Sequence, residues 1–186
     1  MARVGLTKEL VVLAAAEIAD RDGLDALTLA ALAAALGVKT PSLYAHLGGL
    51  DDLRLRLAAL AAAQLGDVLA PAAAGLSRGE ALREIGHVYR QWANEHPGLY
   101  AALQPASPAR EPAAEQVLAL VLAVLRGYGL EGDQAIHAAR TVRAALHGFV
   151  TLEAQGGFGI PVDLGDSFAW MLAALDRGLA SAGDLT

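Results

Sequence analysis

The sequence contains no cysteine, and this excludes a disulfide framework, a thiolate nucleophile and a cysteine-based zinc site. Long hydrophobic runs are also missing, since the run over residues 117–125 falls short of the roughly 20 residues that a membrane-spanning helix needs. Another apolar run, residues 10–16, follows two cations near the N-terminus, but acidic residues stand where a signal-peptide cleavage site belongs. We therefore expect a soluble, cytoplasmic protein without a membrane partner.

The sequence also lacks an excess of Lys and Arg over Asp and Glu. The net charge is −6, whereas nucleic-acid-binding proteins usually present a basic face. Residues 1–56 carry six Lys and Arg against seven Asp and Glu, so most of the acidity lies in the rest of the chain. The N-terminal part is therefore roughly neutral.

Alanine and leucine, both strong helix formers, are abundant, and 55% of the residues are hydrophobic. The alternation of apolar and polar residues that is typical of strands is absent, so we predict an all-α fold. The helix predicted over residues 113–127 is apolar almost all round and should lie at the centre of the larger domain. Periodicity, caps and breakers predict helices over about residues 7–23, 28–37, 41–47, 50–70, 77–97, 113–127, 133–155 and 166–182, with a proline-rich loop at residues 104–112.

The N-terminal part contains the elements of a helix-turn-helix. Thr7 is the predicted N-cap of the first helix, and Thr28 is the predicted N-cap of a short helix that ends at Gly37. A second helix of about two turns is predicted to begin at Pro41, with Thr40 as its N-cap. Threonine caps helices well, and proline is favoured at the first helical position. Two short helices joined by a tight turn, with a third helix beneath them, are typical of DNA-binding proteins.

Residues 28–53 resemble the N-terminal domain of TetR-family regulators. The resemblance rests on a glycine turn followed by a short recognition helix that ends in Leu-Tyr-x-His and an aliphatic residue. The matching residues are Gly37, Val38, Pro41, Leu43, Tyr44, His46 and Leu47. The resemblance implies a helix-turn-helix DNA-binding domain at residues 1–50, a connecting helix at residues 51–70, and a helical ligand-binding and dimerisation domain at residues 71–186.

The same resemblance implies which side chains contact operator DNA. Leu43 and Leu47 lie four residues apart and can anchor the short helix to the core, which leaves its polar side chains pointing outward. On the family pattern the start of the helix faces the major groove, and Tyr44 reaches the phosphate backbone. The predicted DNA-binding residues are Thr28, Lys39, Thr40, Pro41, Ser42, Tyr44 and His46.

Three residues at two places depart from the family pattern. Leu50 stands where family members commonly carry a lysine, and Ala30 and Ala31 occupy the first motif helix where phosphate or base contacts are often made. Fewer cationic contacts predict weaker binding with a shallower salt dependence. The helix dipole and the avidity of a dimer would then contribute more of the affinity.

Residues 89–100 and 143–153 resemble the C-terminal domain of a TetR subfamily that carries a His-Gly element, here His147–Gly148. The resemblance implies a homodimer in which the helices over residues 133–155 and 166–182 pair with their copies. An apolar stripe wider than one chain's core needs is consistent with this, and we expect it to be part interface and part core. The stripe consists of Ile136, Ala139, Val142, Leu146, Phe149 and Val150.

A small-molecule effector site is also expected in the larger domain. An apolar pocket with a few polar groups is how such sites are built, so the implied ligand is mostly hydrophobic. The alternative is that the same aromatic residues are ordinary core. The candidate ligand-binding residues are His87, Tyr89, Gln91, Trp92, Tyr100, Leu103, His147 and Phe149.

The residues form no catalytic pattern, since the histidines lack the spacing of a zinc protease and no glycine-rich phosphate loop precedes a helix. We therefore predict no enzymatic activity, no cofactor and no metal. The predicted function is that of a DNA-binding repressor that a small, mostly hydrophobic ligand releases from its operator. The alternative is a helical ligand-binding or scaffold dimer that has lost DNA affinity, and an all-α enzyme ranks third.

Overall fold

The computed structural model describes residues 6–104 and 112–183, and within these residues every regular element is helical, as predicted. A short 3-10 turn, Leu24–Ala26, follows the first helix. The α-helices in chain order are α1 (Lys8–Asp22), α2 (Leu29–Ala35), α3 (Thr40–Leu43), α4 (Leu50–Ala73), α5 (Arg78–Glu95), α6 (Pro97–Leu103), α7 (Pro112–Arg126), α8 (Gly132–Ala154) and α9 (Leu164–Gly183).

Two predicted helix caps are confirmed. The Thr7 Oγ1 accepts a hydrogen bond from the Leu10 N–H at 3.2 Å, and the Thr28 Oγ1 accepts one from the Ala31 N–H at 3.1 Å. Each bond satisfies one of the backbone donors that the first turn of a helix leaves without a helical partner. Local capping chemistry therefore fixes where α1 and α2 begin.

Internal contacts divide the described chain into two compact units. The first unit comprises residues 6–64 and 95–104, and the second comprises residues 65–94 and 112–183. Helix α4 contributes residues to both units, and the chain returns to the first unit for α6 before it enters α7. The first unit therefore contains a segment that is remote in sequence from its other helices.

The core of the first unit gathers residues from several helices. Packing brings α6 so close to α1 that a Cβ on residue 98 would lie 2.5 Å from the Asp20 backbone nitrogen, so Gly98 provides necessary space. The Asp20 carboxylate accepts a hydrogen bond from the Leu99 N–H at 2.9 Å. The buried side chains of this unit include Val11, Ala15, Ile18, Leu32, Leu43, Leu47, Leu53, Leu57, Leu99 and Tyr100.

The predicted end of a helix near Pro97 is confirmed, but the helix α6 that follows it was not predicted. Helix α5 ends at Glu95, and Pro97 begins a new helix that runs to Leu103. Proline has no N–H to donate but suits the first turn, where the N–H groups have no helical acceptor. The predicted loop at residues 104–112 lies mostly outside the described residues, except that Pro112 already belongs to α7.

Helix α4 is longer than predicted, since it continues through Pro71 to Ala73. A proline this near the helix end removes one backbone hydrogen bond and leaves little helix to disrupt. By length and apolar composition α4 would be able to cross a membrane, a test that core helices of soluble proteins also pass. Several of its leucines, including Leu53, Leu57 and Leu65, are buried within the protein, and a single helix of this kind is weak evidence for a membrane span.

The position of α7 was predicted wrongly. Among its described side chains Leu125 is buried, whereas Leu118 is 44% exposed. An apolar sequence shows which side chains favour burial, but it does not show how many sides of the helix a neighbour covers. Within one chain, α7 lies at the edge of the second unit rather than at its centre.

The apolar stripe on α8 belongs mostly to the core of the second unit. Five of its six predicted members are buried within the single chain, and Ile136 is half-buried. Helix α9 adds Phe168, Leu172 and Leu179 to the same core. The stripe therefore leaves little apolar surface over for a partner, contrary to the expectation that part of it forms an interface.

Candidate nucleic-acid interface

Helices α2 and α3 form a helix-turn-helix that is anchored by buried leucines. Gly37 lies in the left-handed region, with φ of 65°, and closes α2 through hydrogen bonds that include Val38 N–H to Ala33 C=O at 3.0 Å. A left-handed residue that ends a helix is favourable for glycine because it has no Cβ. Leu32 on α2 and Leu43 on α3 are fully buried. The turn and these anchors fix α3 on the first unit.

Helix α3 is shorter than predicted and begins one residue earlier. Lys39 is the N-cap and makes no side-chain cap bond, so Thr40 is the first helical residue rather than the cap. After Leu43 the chain continues as a tight turn, in which the His46 and Leu47 N–H groups donate to the Leu43 carbonyl at 2.8 and 2.9 Å. Regular helix therefore covers only the first half of the predicted segment.

The side chains predicted to contact DNA lie around this short helix. Tyr44 is 60% exposed, and Lys39, Pro41 and Ser42 are exposed as well. Thr40 and His46 are half-buried. Thr28 is exposed, but its hydroxyl oxygen already accepts the Ala31 N–H. The anchored face of α3 is thus apolar, while its outer face presents hydroxyl groups, a ring and a cation, groups that contact phosphates and base edges.

Acidic side chains follow α3 at the start of α4. Asp52 accepts hydrogen bonds from the Gly48 N–H at 2.8 Å and from the Arg56 Nε at 3.0 Å. The Arg56 hydrogen bond and the Gly48 N–H together hold the pKa of Asp52 below its usual range. This contact was not predicted from the sequence, because hydrogen bonding of a carboxylate to a preceding turn depends on the folded backbone.

The residues predicted to bind a ligand fall into both units. Tyr100 and Leu103 belong to the first unit, and the other six belong to the second. In the second unit His87 and Gln91 are exposed, and His147 is half-buried. Tyr89, Trp92 and Phe149 are buried.

One aromatic cluster does bring two of these residues near each other. The Phe168 ring lies 5.7 Å from the His87 ring and 4.9 Å from the Phe149 ring, as measured between centroids. Phe158 packs on the other flank of Phe149, with 4.9 Å between ring centroids. Neither Phe158 nor Phe168 was among the residues predicted to bind a ligand.

An ion pair covers this cluster. The Arg90 guanidinium donates to both carboxylate oxygens of Glu153, with Nε to Oε2 at 2.8 Å, and it lies 5.0 Å from the centroid of Phe168. The Arg90 and Glu153 side chains are only 19% and 18% exposed. The hydrogen bond from Arg90 lowers the pKa of Glu153. The two residues are 63 positions apart, so no local pattern could have revealed the pair.

The described part of the chain, residues 6–104 and 112–183, has few clustered histidines and carboxylates. Within those residues no group of three or more His, Cys, Asp or Glu side chains is arranged to hold a metal ion. The candidate site that the geometry defines is the exposed face of the helix-turn-helix, around Tyr44.

A helix-turn-helix in one helical unit, joined through α4 to a second helical unit, defines an all-helical DNA-binding regulator. Residues 11–57 match the family model described as bacterial regulatory proteins, tetR family, and residues 82–175 match the model described as tetracyclin repressor-like, C-terminal domain. The chain belongs to the TetR family of transcriptional regulators. The resemblance inferred from residues 28–53 is thereby confirmed.

Similar proteins support this assignment over the whole chain. The HTH-type transcriptional regulator YobS of Bacillus subtilis is 36% identical over 95% of this chain and 94% of its own. The HTH-type transcriptional regulator Rv0681 of Mycobacterium tuberculosis is 38% identical over 94% of this chain and 82% of its own. The structure of TetR-Q116A from Acinetobacter baumannii in complex with minocycline has a TM-score of 0.72, 25% identity, and covers 96% and 98% of the two chains.

Proposed function

We propose that this regulator reads its operator through the outer face of α3. The observation that carries the proposal is the contrast between fully buried Leu43 and 60% exposed Tyr44 on a helix of one turn. Anchored in this way, the start of α3 can enter the major groove while the Tyr44 hydroxyl reaches a phosphate. The proposed contact residues are Thr28, Lys39, Thr40, Pro41, Ser42, Tyr44 and His46.

We further propose that the protein is a repressor that a small, mostly hydrophobic ligand releases from DNA. The minocycline complex of the related TetR variant supports a ligand-responsive second unit. Helix α4 supplies residues to both units, so it is the proposed element that couples ligand binding to the helix-turn-helix. Ligand binding then favours dimers whose recognition helices no longer match successive major grooves. The proposed ligand contacts are His87, Tyr89, Gln91, Trp92, Tyr100, Leu103, His147 and Phe149.

The proposed dimer forms through α8 and α9. Trp170 on α9 is 71% exposed, and exposed aromatic side chains are typical of protein interfaces. A two-fold dimer would present two copies of α3 to the half-sites of a palindromic operator.

We also propose that the protein acts in the cytoplasm and has no catalytic activity, as membership of a family of transcriptional regulators supports.

Alanine substitutions at Thr40 and Tyr44 test the proposed interface. The expected result is that T40A/Y44A lowers specific operator affinity by about tenfold or more, because two polar contacts per subunit are lost. The measurement is a band-shift titration with DNA from upstream of the protein's own gene at several salt concentrations. Dimer mass and melting temperature should stay at the wild-type values.

Leu13 offers a matched control, since it is 46% exposed on α1, outside the proposed interface. L13A should bind the operator like wild type. Unchanged operator affinity in T40A/Y44A would overturn the assignment of α3 as the reading element. A wild-type protein that forms no specific, salt-sensitive complex at any condition would instead support the alternative of a dimer that has lost DNA affinity.

A further inference from the structure

The connection between α3 and α4 is a turn that contains two consecutive glycines, Gly48 and Gly49. Gly49 has φ of 122°, a value that side chains other than glycine rarely adopt. Glycine also loses more conformational freedom on folding than any other residue, so the turn does not hold its own shape. The orientation of α3 relative to α4 therefore depends on contacts made across the turn.

Asp52 makes one such contact. Its Oδ2, in the first turn of α4, accepts the Gly48 N–H at 2.8 Å. The same oxygen accepts the Arg56 Nε at 3.0 Å, and Arg56 lies one turn further along the helix. The arginine thus holds the carboxylate toward the turn. The Asp52 side chain is 31% exposed, so these bonds are only partly shielded from water.

We infer that Asp52 is a positioning residue for DNA recognition: it fixes the Gly48–Gly49 turn, so that α3 keeps one orientation on α4. This inference rests on the proposed function of α3 as the reading element. Helix α3 has only one regular turn, and its N-cap makes no side-chain bond. Besides the Asp52 contact, the packing of Leu43 and Leu47 is therefore the main restraint on its orientation.

Because Asp52 is negatively charged, the inference can be tested by whether replacing this residue strengthens or weakens DNA binding. A carboxylate beside the recognition segment repels DNA phosphates. If Asp52 acted only through its negative charge, removing the carboxylate should therefore strengthen binding to any DNA. Loss of a positioning contact should instead weaken binding to the operator while leaving non-specific binding unchanged or stronger. Asp51 is the matched control, because it is an exposed carboxylate in the same helical turn.

The experiment compares D52A, D52N and D51A in the full-length protein. Operator DNA and a scrambled duplex of equal length are titrated at one salt concentration. D52A should lose about tenfold in the ratio of operator to scrambled affinity. D52N keeps an oxygen that can accept the Gly48 N–H, so it should recover most of that ratio, and D51A should keep the wild-type ratio. Equal ratios in D52A and D51A would overturn the inference.

Hydrogen exchange at the Gly48 amide in the wild-type protein provides a second measurement that needs no variant. The bond to Asp52 should slow this exchange well below the rate of an unstructured chain, and an unprotected amide would overturn the inference even if D52A fails to fold. A failure of the proposed function can be distinguished from a failure of the inference about Asp52. If T40A/Y44A binds the operator like wild type, α3 does not read DNA, whatever the Asp52 variants do.

Discussion

Asp20 shows how one side chain can connect two helices that are remote in sequence. Its two carboxylate oxygens separately meet the Leu99 N–H at 2.9 Å and the His96 Nδ1 at 3.1 Å. A carboxylate at the start of a helix satisfies a backbone donor and interacts favourably with the positive end of the helix dipole. Asp20 therefore acts from α1 as a cap for α6.

Gly98 is the position where this junction should tolerate least change. We expect G98A to lower the free energy of unfolding by about 1–3 kcal/mol, because the added Cβ would overlap the backbone of Ala19 and Asp20. The measurement is urea unfolding followed by circular dichroism.

Gly66 provides the control for that substitution. It lies inside α4, and a Cβ there would meet Val117 Cγ2 at 3.5 Å, an ordinary contact distance. G66A should therefore keep or raise stability, since alanine favours helix by up to about 1 kcal/mol over glycine. If G98A is as stable as wild type, α6 does not pack this closely on α1 in solution.

At the scale of helices, local chemistry was predictable and remote packing was not. Thr7 and Thr28 were identified as caps because a cap bonds a backbone donor within three residues. The start of α6 was missed, since Asp20, which holds it, lies 76 residues before His96. The exposed side of α7 was also missed, because its hydrophobicity carries no information about how many neighbours cover it.

The Arg90–Glu153 pair joins α5 to α8 and should make stability depend on pH. The pKa of Glu153 is lower in the folded protein than in the unfolded chain, mainly because of the Arg90 hydrogen bond. Its contribution is therefore fully present above the unfolded value, about pH 4.3, and is lost as the pH falls through the folded value. At pH 7 we expect E153Q to cost about 2 kcal/mol, because the charged partner loses its bond.

The measurement is chemical unfolding of wild type and E153Q between pH 7 and pH 3. The difference between the two should shrink as the pH falls, since protonation of Glu153 removes the interaction from wild type also. E84Q, which changes an exposed carboxylate on α5, should follow the wild-type curve. A constant difference between wild type and E153Q across this range would contradict the role of the ion pair.

For the whole molecule, the burial of the α8 stripe changes which residues can form a dimer. Because most of that stripe is core, the dimer proposed through α8 and α9 would have to use the other sides of these two helices. Ala144, Gly148 and Leu152 follow at four-residue spacing on α8 and are exposed or half-buried. A Cβ at Gly148 would meet no atom within 4 Å. The small residues Ala144 and Gly148 would allow a partner helix to approach closely, and exposed Leu152 would add apolar surface.

Trp170 is the side chain that we expect to anchor the proposed dimer. Large aromatic residues at the centre of an interface commonly contribute about 2 kcal/mol or more to binding. W170E should therefore shift the protein toward monomer in sedimentation experiments at micromolar concentration. Operator affinity should fall as the dimer dissociates, because a monomer binds only one half-site and loses the avidity of two linked recognition helices.

Leu118 on α7 provides the control for W170E, because it is an exposed apolar side chain of the second unit on a different helix. Its side chain is 44% exposed, so L118E adds the same charge at another uncovered apolar position. We expect L118E to remain dimeric and to bind the operator like wild type. If L118E dissociates while W170E stays dimeric, the subunits meet through α7, and the incomplete burial of that helix in one chain would be explained by its partner.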